Sequence, residues 1–122
     1  MTNLVERRRN RSRNAWEAVG LQLAHSREQG RLEALVLASD DGLVVAEAGD
    51  ASVCGELAAV APYMNRTLGM PMTPLLRGAE VSVRTMRVHG MSLHLACVGG
   101  SVARDAVIAC SLKGVERILT AS

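Results

Sequence analysis

The chain has 122 residues, 48% hydrophobic and 21% charged, which is one domain's length and enough to bury a core without metal or disulfide staples. Only Trp16 and Tyr63 are aromatic, which weighs against base stacking of the kind that single-strand nucleic-acid binders use. The formal net charge is +2, but Arg7, Arg8, Arg9, Arg11 and Arg13 crowd one stretch, so the remainder is slightly acidic.

In chain order, residues 1–13 read as an arginine-rich N-terminal tail and residues 14–122 as the folded domain. Trp16, Val19 and Leu23 recur at helical spacing, so a first helix is expected from about Asn14 to Gln29, with Gly30 ending it. Leu32 to Ser39 is almost wholly apolar, Asp40, Asp41 and Gly42 form a turn signal, and Leu43 to Ala48 resumes the apolar run: a β-hairpin. From Ala51 the period changes. Val53, Leu57, Val60, Met64 and Leu68 mark a second helix capped by Asp50, in which Pro62 predicts a kink or an early end. A loop containing Gly69, Pro71, Pro74 and Gly78 follows. Val81–Val88 and Met91–Val98 flank His89 and Gly90 as a second hairpin, Ala106 to Cys110 reads as a fifth strand, and Ser111 caps a last helix carrying Leu112, Val115 and Leu119.

These elements predict an α+β fold built on a single, mostly antiparallel five-stranded sheet with helices on both faces. The uninterrupted apolar runs of the first and fifth strands suit the centre, and the third strand, with Ser82, Arg84, Thr85 and Arg87, suits an edge. The order is then 2-1-5-4-3.

The hairpin LEALVLASDDGLVVAEAG from Leu32 to Gly49 resembles the hallmark of the roadblock / dynein light chain family. ELAAVAPYM from Glu56 to Met64 is similar to that family's second helix, and MSLHLACVGG followed by DAVIACSLKGVERIL to its closing segments. The resemblance covers about Asn14 to Leu119. It implies a roadblock/profilin-like fold without catalytic residues or a cofactor, dimers joined through the third strand and second helix, and, as in bacterial members, a small Ras-like GTPase as partner. The interface residues it points to are Val81, Val83, Thr85 and Arg87 on the strand and Leu57, Val60 and Met64 on the helix. Strand geometry adds a parity. A two-residue loop at His89 and Gly90 makes Val88 and Met91 a hydrogen-bonded pair, so even positions of the third strand bond the fourth and odd positions face the open edge.

Other chemistry finds little support. Asp40 and Asp41 suit a solvated turn better than an acid/base pair. His89, His94 and Cys97 share one hairpin with His94 and Cys97 on opposite faces, and no fourth zinc ligand is offered. Cys97 and Cys110 read as small buried apolar residues, and the methionines as core filling. No nucleophile elbow or catalytic cysteine motif is present, and Gly99, Gly100 and Ser101 lack a Walker lysine, so neither catalysis nor nucleotide binding is expected. The arginines of the tail attract phosphate, on nucleic acid or an anionic membrane, but without sequence preference; a solvated helix extension is the plainer reading. With three cysteines, no C-x-x-C pair, no secretory h-region and no apolar run of ~18 residues, the expected compartment is the cytoplasm.

Overall fold

In the computed structural model, the backbone is described for residues 4–64, 81–100 and 104–121, and the side chains there except those of 4–12 and 105. The elements are α1 (Leu4–Gly30), β1 (Leu32–Ser39), β2 (Val44–Gly49), α2 (Ala51–Met64), β3 (Val81–Val88), β4 (Met91–Gly99) and α3 (Arg104–Ala121). The segment with Gly69, Pro71, Pro74 and Gly78, like Leu68, Met70 and Met72, lies outside the described residues.

Helix α1 starts ten residues before the expected Asn14. Arginine and glutamate are good helix formers and no proline interrupts them, so the stretch continues the helix as the solvated extension its composition allows, although no apolar period marks where it starts. Its buried stripe is Ala15, Val19, Leu23 and Ser26, with Trp16 at the stripe's edge. Gly30 is not the residue that turns the chain. It is the last helical residue, where a Cβ would come within 3.1 Å of Leu32 and Val107, while Arg31 takes the left-handed conformation at φ 50°.

The first hairpin closes on Asp40, Asp41 and Gly42. Ser39 N donates to Leu43 O at 2.9 Å, and Gly42 (φ 81°) donates back to Ser39 O at 3.0 Å, while the register slips between Leu37 and Ala38. A type I turn followed by a left-handed glycine produces this bulge. At the hairpin's far end, Gly49 sits at φ 113° with its Cα against the β1 backbone; an added Cβ would stand 2.7 Å from Glu33 O.

Among the described residues the sheet has four antiparallel strands in the order β2-β1-β4-β3, not the expected order 2-1-5-4-3. The expected fifth strand, Ala106 to Cys110, forms the opening turns of α3. A five-residue apolar run has no decisive period by itself; read onward, Ile108, Ser111, Val115 and Leu119 are buried at i, i+3, i+7 and i+11, one helical stripe. Ser111 is therefore not a cap but an interior residue, and its hydroxyl has no hydrogen-bond partner among the described residues. Cys110, expected to be buried, is exposed on the opposite side of the same helix. The central place goes to β4, buried without interruption from Leu93 to Val98. His94 broke that run in the sequence and disguised a strand covered on both faces.

Two cores result, one on each side of the sheet. Leu35 and Leu37 of β1, Leu93, Leu95 and Cys97 of β4, and Met86 and Val88 of β3 meet Val19 and Leu23 of α1 and Ile108, Val115 and Leu119 of α3. Ala34, Val36 and Ala38, with Ala96 and Val98, meet Val53, Cys54, Leu57, Ala58, Val60 and Ala61 of α2. Small alanines on the sheet admit α2 closely, in keeping with dense packing set by side-chain size. This three-layer arrangement, helices on both faces of an antiparallel sheet, agrees with the expected α+β class.

Candidate interaction surface

Strand β3 pairs with β4 along its full length, and among the described residues nothing pairs with its other side. His89 and Gly90 form the two-residue loop, at φ 51° and 79°; positive values at both central positions identify a type I′ turn, whose twist matches the strands it joins. The register runs from Val88↔Met91 to Val81↔Val98 without a bulge. In this geometry Val88, Met86, Arg84 and Ser82 exchange bonds with β4, and the amides and carbonyls of Arg87, Thr85, Val83 and Val81 point to the open edge. The side chains follow the same alternation. Met86 and Val88 lie in the α1/α3 core, and Val81 and Val83 are half-buried on the α2 face. Thr85 and Arg87 are exposed.

The edge is held from below by three tethers. Thr85 Oγ1 lies 2.9 Å from His94 Nδ1, directly across the ladder, and His94 Nε2 lies 2.8 Å from Asp40 Oδ1 in the first hairpin turn. The Asp40 carboxylate can only accept, so Nε2 carries the proton of that bond. The buried histidine thus joins β3, β4 and the β1–β2 turn, and Asp40 has a structural partner as well as the turn role expected of it. Arg104 Nε donates to Ser82 Oγ at 2.9 Å, tying the first turn of α3 to β3. Arg87 donates to Gly90 O at 3.3 Å and reaches Ser92 Oγ at 3.4 Å.

Helix α2 begins as its sequence dictates, with Asp50 Oδ1 accepting from Val53 N at 3.1 Å, and its described part continues through Pro62 to Met64. Its apolar stripe is spent inside the protomer. Leu57 and Val60 are buried against the sheet and leave no surface for a partner; only Met64 is half-exposed. The stripe expected to serve an interface thus serves the protomer instead, because an amphipathic helix first turns that stripe to its own core. The solvent face carries Ser52, Gly55 and Ala59, spaced by three and four, then Tyr63 at the end. That run of small residues is the signal a reading of the sequence could have used. Gly42 of the first turn abuts this face, where a Cβ on it would stand only 3.3 Å from Ala59 Cα.

Of the remaining candidates, Arg13 is exposed, and the side chains of Arg7, Arg8, Arg9 and Arg11 lie outside the described residues, although their backbone is helical. His94 and Cys97 do face opposite sides of the sheet, and no group of three or more His, Cys, Asp or Glu is placed to hold a metal ion among the described residues. Cys54 is buried where α2 starts, its Sγ 3.6 Å from Ala48 O; burial, with Glu47 adding repulsion, pushes its thiol up to about 11. Among the described residues no helix is long and apolar enough to cross a membrane.

No family model matches the chain, and no curated protein matches it. Among solved structures it is similar to Myxococcus xanthus MglB, with 13% identity, 87% of each chain covered and a TM-score of 0.45, a distant likeness.

Proposed function

We propose that the chain is a non-enzymatic scaffold or regulatory subunit that pairs with a second copy of itself and presents the pair to a small Ras-like GTPase. The observation that carries the pairing is the outer edge of β3, with which nothing pairs among the described residues. A regular eight-residue strand with its odd amides and carbonyls turned outward is a template for another strand, and isologous pairing closes the assembly where head-to-tail pairing would propagate it. Val81, Val83, Thr85 and Arg87 then lie along the two-fold seam. The contribution of α2 falls to Ser52, Gly55, Ala59 and Tyr63, the first three small enough to let a second helix approach closely. The GTPase enters through the resemblance of residues 32–49, 56–64 and 91–119 to the roadblock / dynein light chain family.

Sedimentation across a dilution series, coupled to pull-down from native cytosol with the full chain and with residues 1–13 removed, tests both halves. The expected outcome is a dimer at micromolar concentration that recovers a GTPase with or without those residues, and that itself neither retains nor hydrolyses GTP. A monomer at that concentration, or stoichiometric GTP binding by the chain, refutes the proposal. Recovery of nucleic acid or lipid that depends on residues 1–13 would favour a tether through the arginines instead.

A further inference from the structure

Two β3 edges can pair in several registers, and the geometry of the strand separates them. The residues whose amides and carbonyls face the edge are Val81, Val83, Thr85 and Arg87. Copies related by a two-fold axis run antiparallel, and an edge-facing residue of one exchanges bonds only with an edge-facing residue of the other. Within the described strand, one register uses all four residues of each copy. It sets Val81 opposite the partner's Arg87 and Val83 opposite the partner's Thr85, and makes eight inter-chain bonds. Any other register leaves at least one of the four unpaired on each copy and forfeits two bonds or more.

In that register the two-fold axis passes through Arg84. Its place is a non-hydrogen-bonded pair, with the two Cα atoms about 4.5 Å apart. Like charges held opposite each other on exposed strands weaken association about fivefold at most, whereas losing two hydrogen bonds weakens it about 30-fold. The bonds prevail, and the seam carries two facing guanidiniums. Their surroundings leave them available. Even residues of β3 point to the α1/α3 side of the sheet, where Met86 and Val88 enter the core and Ser82 accepts from Arg104 of α3. Arg84 shares that side but is exposed, and among the described residues it makes no hydrogen bond or ion pair, whereas Arg87 is engaged with Gly90 O and Ser92 Oγ.

We infer that the seam forms a binding site for a free tetrahedral oxyanion of the phosphate or sulfate class, held between Arg84 and the partner's Arg84. The site rests on the pairing proposed above, and neither copy holds it alone. A tetrahedral anion has a two-fold axis with one pair of oxygens on each side, and each guanidinium fork takes one pair bidentately. Esterification removes that match, because a monoester keeps three free oxygens and a diester two, enough for a single fork. A bound anion replaces one repulsion by two attractions, so anion binding and pairing strengthen each other.

The test is sedimentation equilibrium of the full chain at constant ionic strength, with chloride replaced by millimolar inorganic phosphate, methyl phosphate or dimethyl phosphate, on the parent and on Arg84→Gln, each checked by thermal melting. Inorganic phosphate should tighten the parent dimer about fivefold or more, methyl phosphate less, and dimethyl phosphate no more than chloride. Arg84→Gln should pair up to about fivefold more tightly than the parent in chloride and ignore phosphate. The register is read separately by mild oxidation in a Cys110→Ser background, which removes the exposed thiol. Arg84→Cys should form an inter-chain disulfide and Thr85→Cys should not, since only residue 84 meets its own copy within the span of that bond. Pairing indifferent to phosphate, an equal response by Arg84→Gln, or cross-linking by Thr85→Cys in place of Arg84→Cys overturns the inference and leaves the dimer standing. A chain that stays monomeric with and without phosphate overturns the pairing beneath it as well.

Discussion

Replacing Val83 or Arg84 by proline places the same chemical change one residue apart and asks opposite questions of β3. In the register observed, the amide of Arg84 bonds across to Leu95, a fully buried residue of the central strand. Proline removes that donor and strands a carbonyl inside the sheet at about 1–3 kcal/mol, and ring crowding brings the total to roughly 3 kcal/mol. Against a domain stability of about 5–15 kcal/mol this lowers the melting temperature by on the order of 10 °C. The amide of Val83 points to the open edge, so Val83→Pro should cost the protomer under about 1 kcal/mol. In a two-fold pair the same substitution deletes two inter-chain bonds, worth about 2 kcal/mol together, and weakens dimerisation roughly 30-fold. Val83 is half-buried, so Val83→Ala serves as the control for lost packing. Sedimentation equilibrium and thermal melts on the three variants give both readouts. Equal melting of the two proline variants would refute the register argument, and a Val83→Pro protein as dimeric as the parent would show that β3 is not the seam.

Gly49→Ala should destabilise the protein by about 3 kcal/mol in urea titration, because its Cβ would enter the Glu33 carbonyl from a backbone at φ 113°; a loss below about 0.5 kcal/mol would show that the strand end yields. Ser111→Ala should raise stability by about 1 kcal/mol, since the hydroxyl is buried with no described partner; a loss of similar size would reveal a bond that the serine makes. Arg31→Gly should stabilise by about 1 kcal/mol by relieving the left-handed residue after α1, and unchanged melting would mean that the strain is already relaxed. Cys54 imposes a pH dependence. Its folded-state value lies above the ordinary thiol value of 9.0, so the folded state keeps the proton longer; stability is intact below about pH 9 and falls as pH rises toward 11. The loss is on the order of 2 kcal/mol, read as a narrowing gap between the parent and Cys54→Ala in urea titrations at pH 8 and pH 10.5; a constant gap would place the thiol in contact with water.

Elements set by local chemistry were legible in the sequence. The two hairpins announced themselves by Asp-Asp-Gly and His-Gly between apolar runs, Asp50 marked the start of α2, and the polar third strand declared an edge, since each of these depends on turn geometry, capping or one-sided solvation within a few residues. The tail's helix was legible only as a solvated extension, because arginines favour a helix without showing which side of it is buried. Ala106 to Cys110 could be strand or helix by composition, and only the meeting of Ile108, Val115 and Leu119 with α1 and the sheet decided for the helix. That choice removed the fifth strand and gave the centre to β4, whose buried His94 is tolerable only because Thr85 and Asp40, nine and fifty-four residues away, close its hydrogen bonds. For the candidate surface, the sequence offered the edge of β3 together with Leu57 and Val60, and the last two are buried against the protomer's own sheet. Burial is a property of the whole fold: a helix has one apolar stripe, the protomer's sheet claims it first, and what remains for association is the face that the tertiary structure leaves outside.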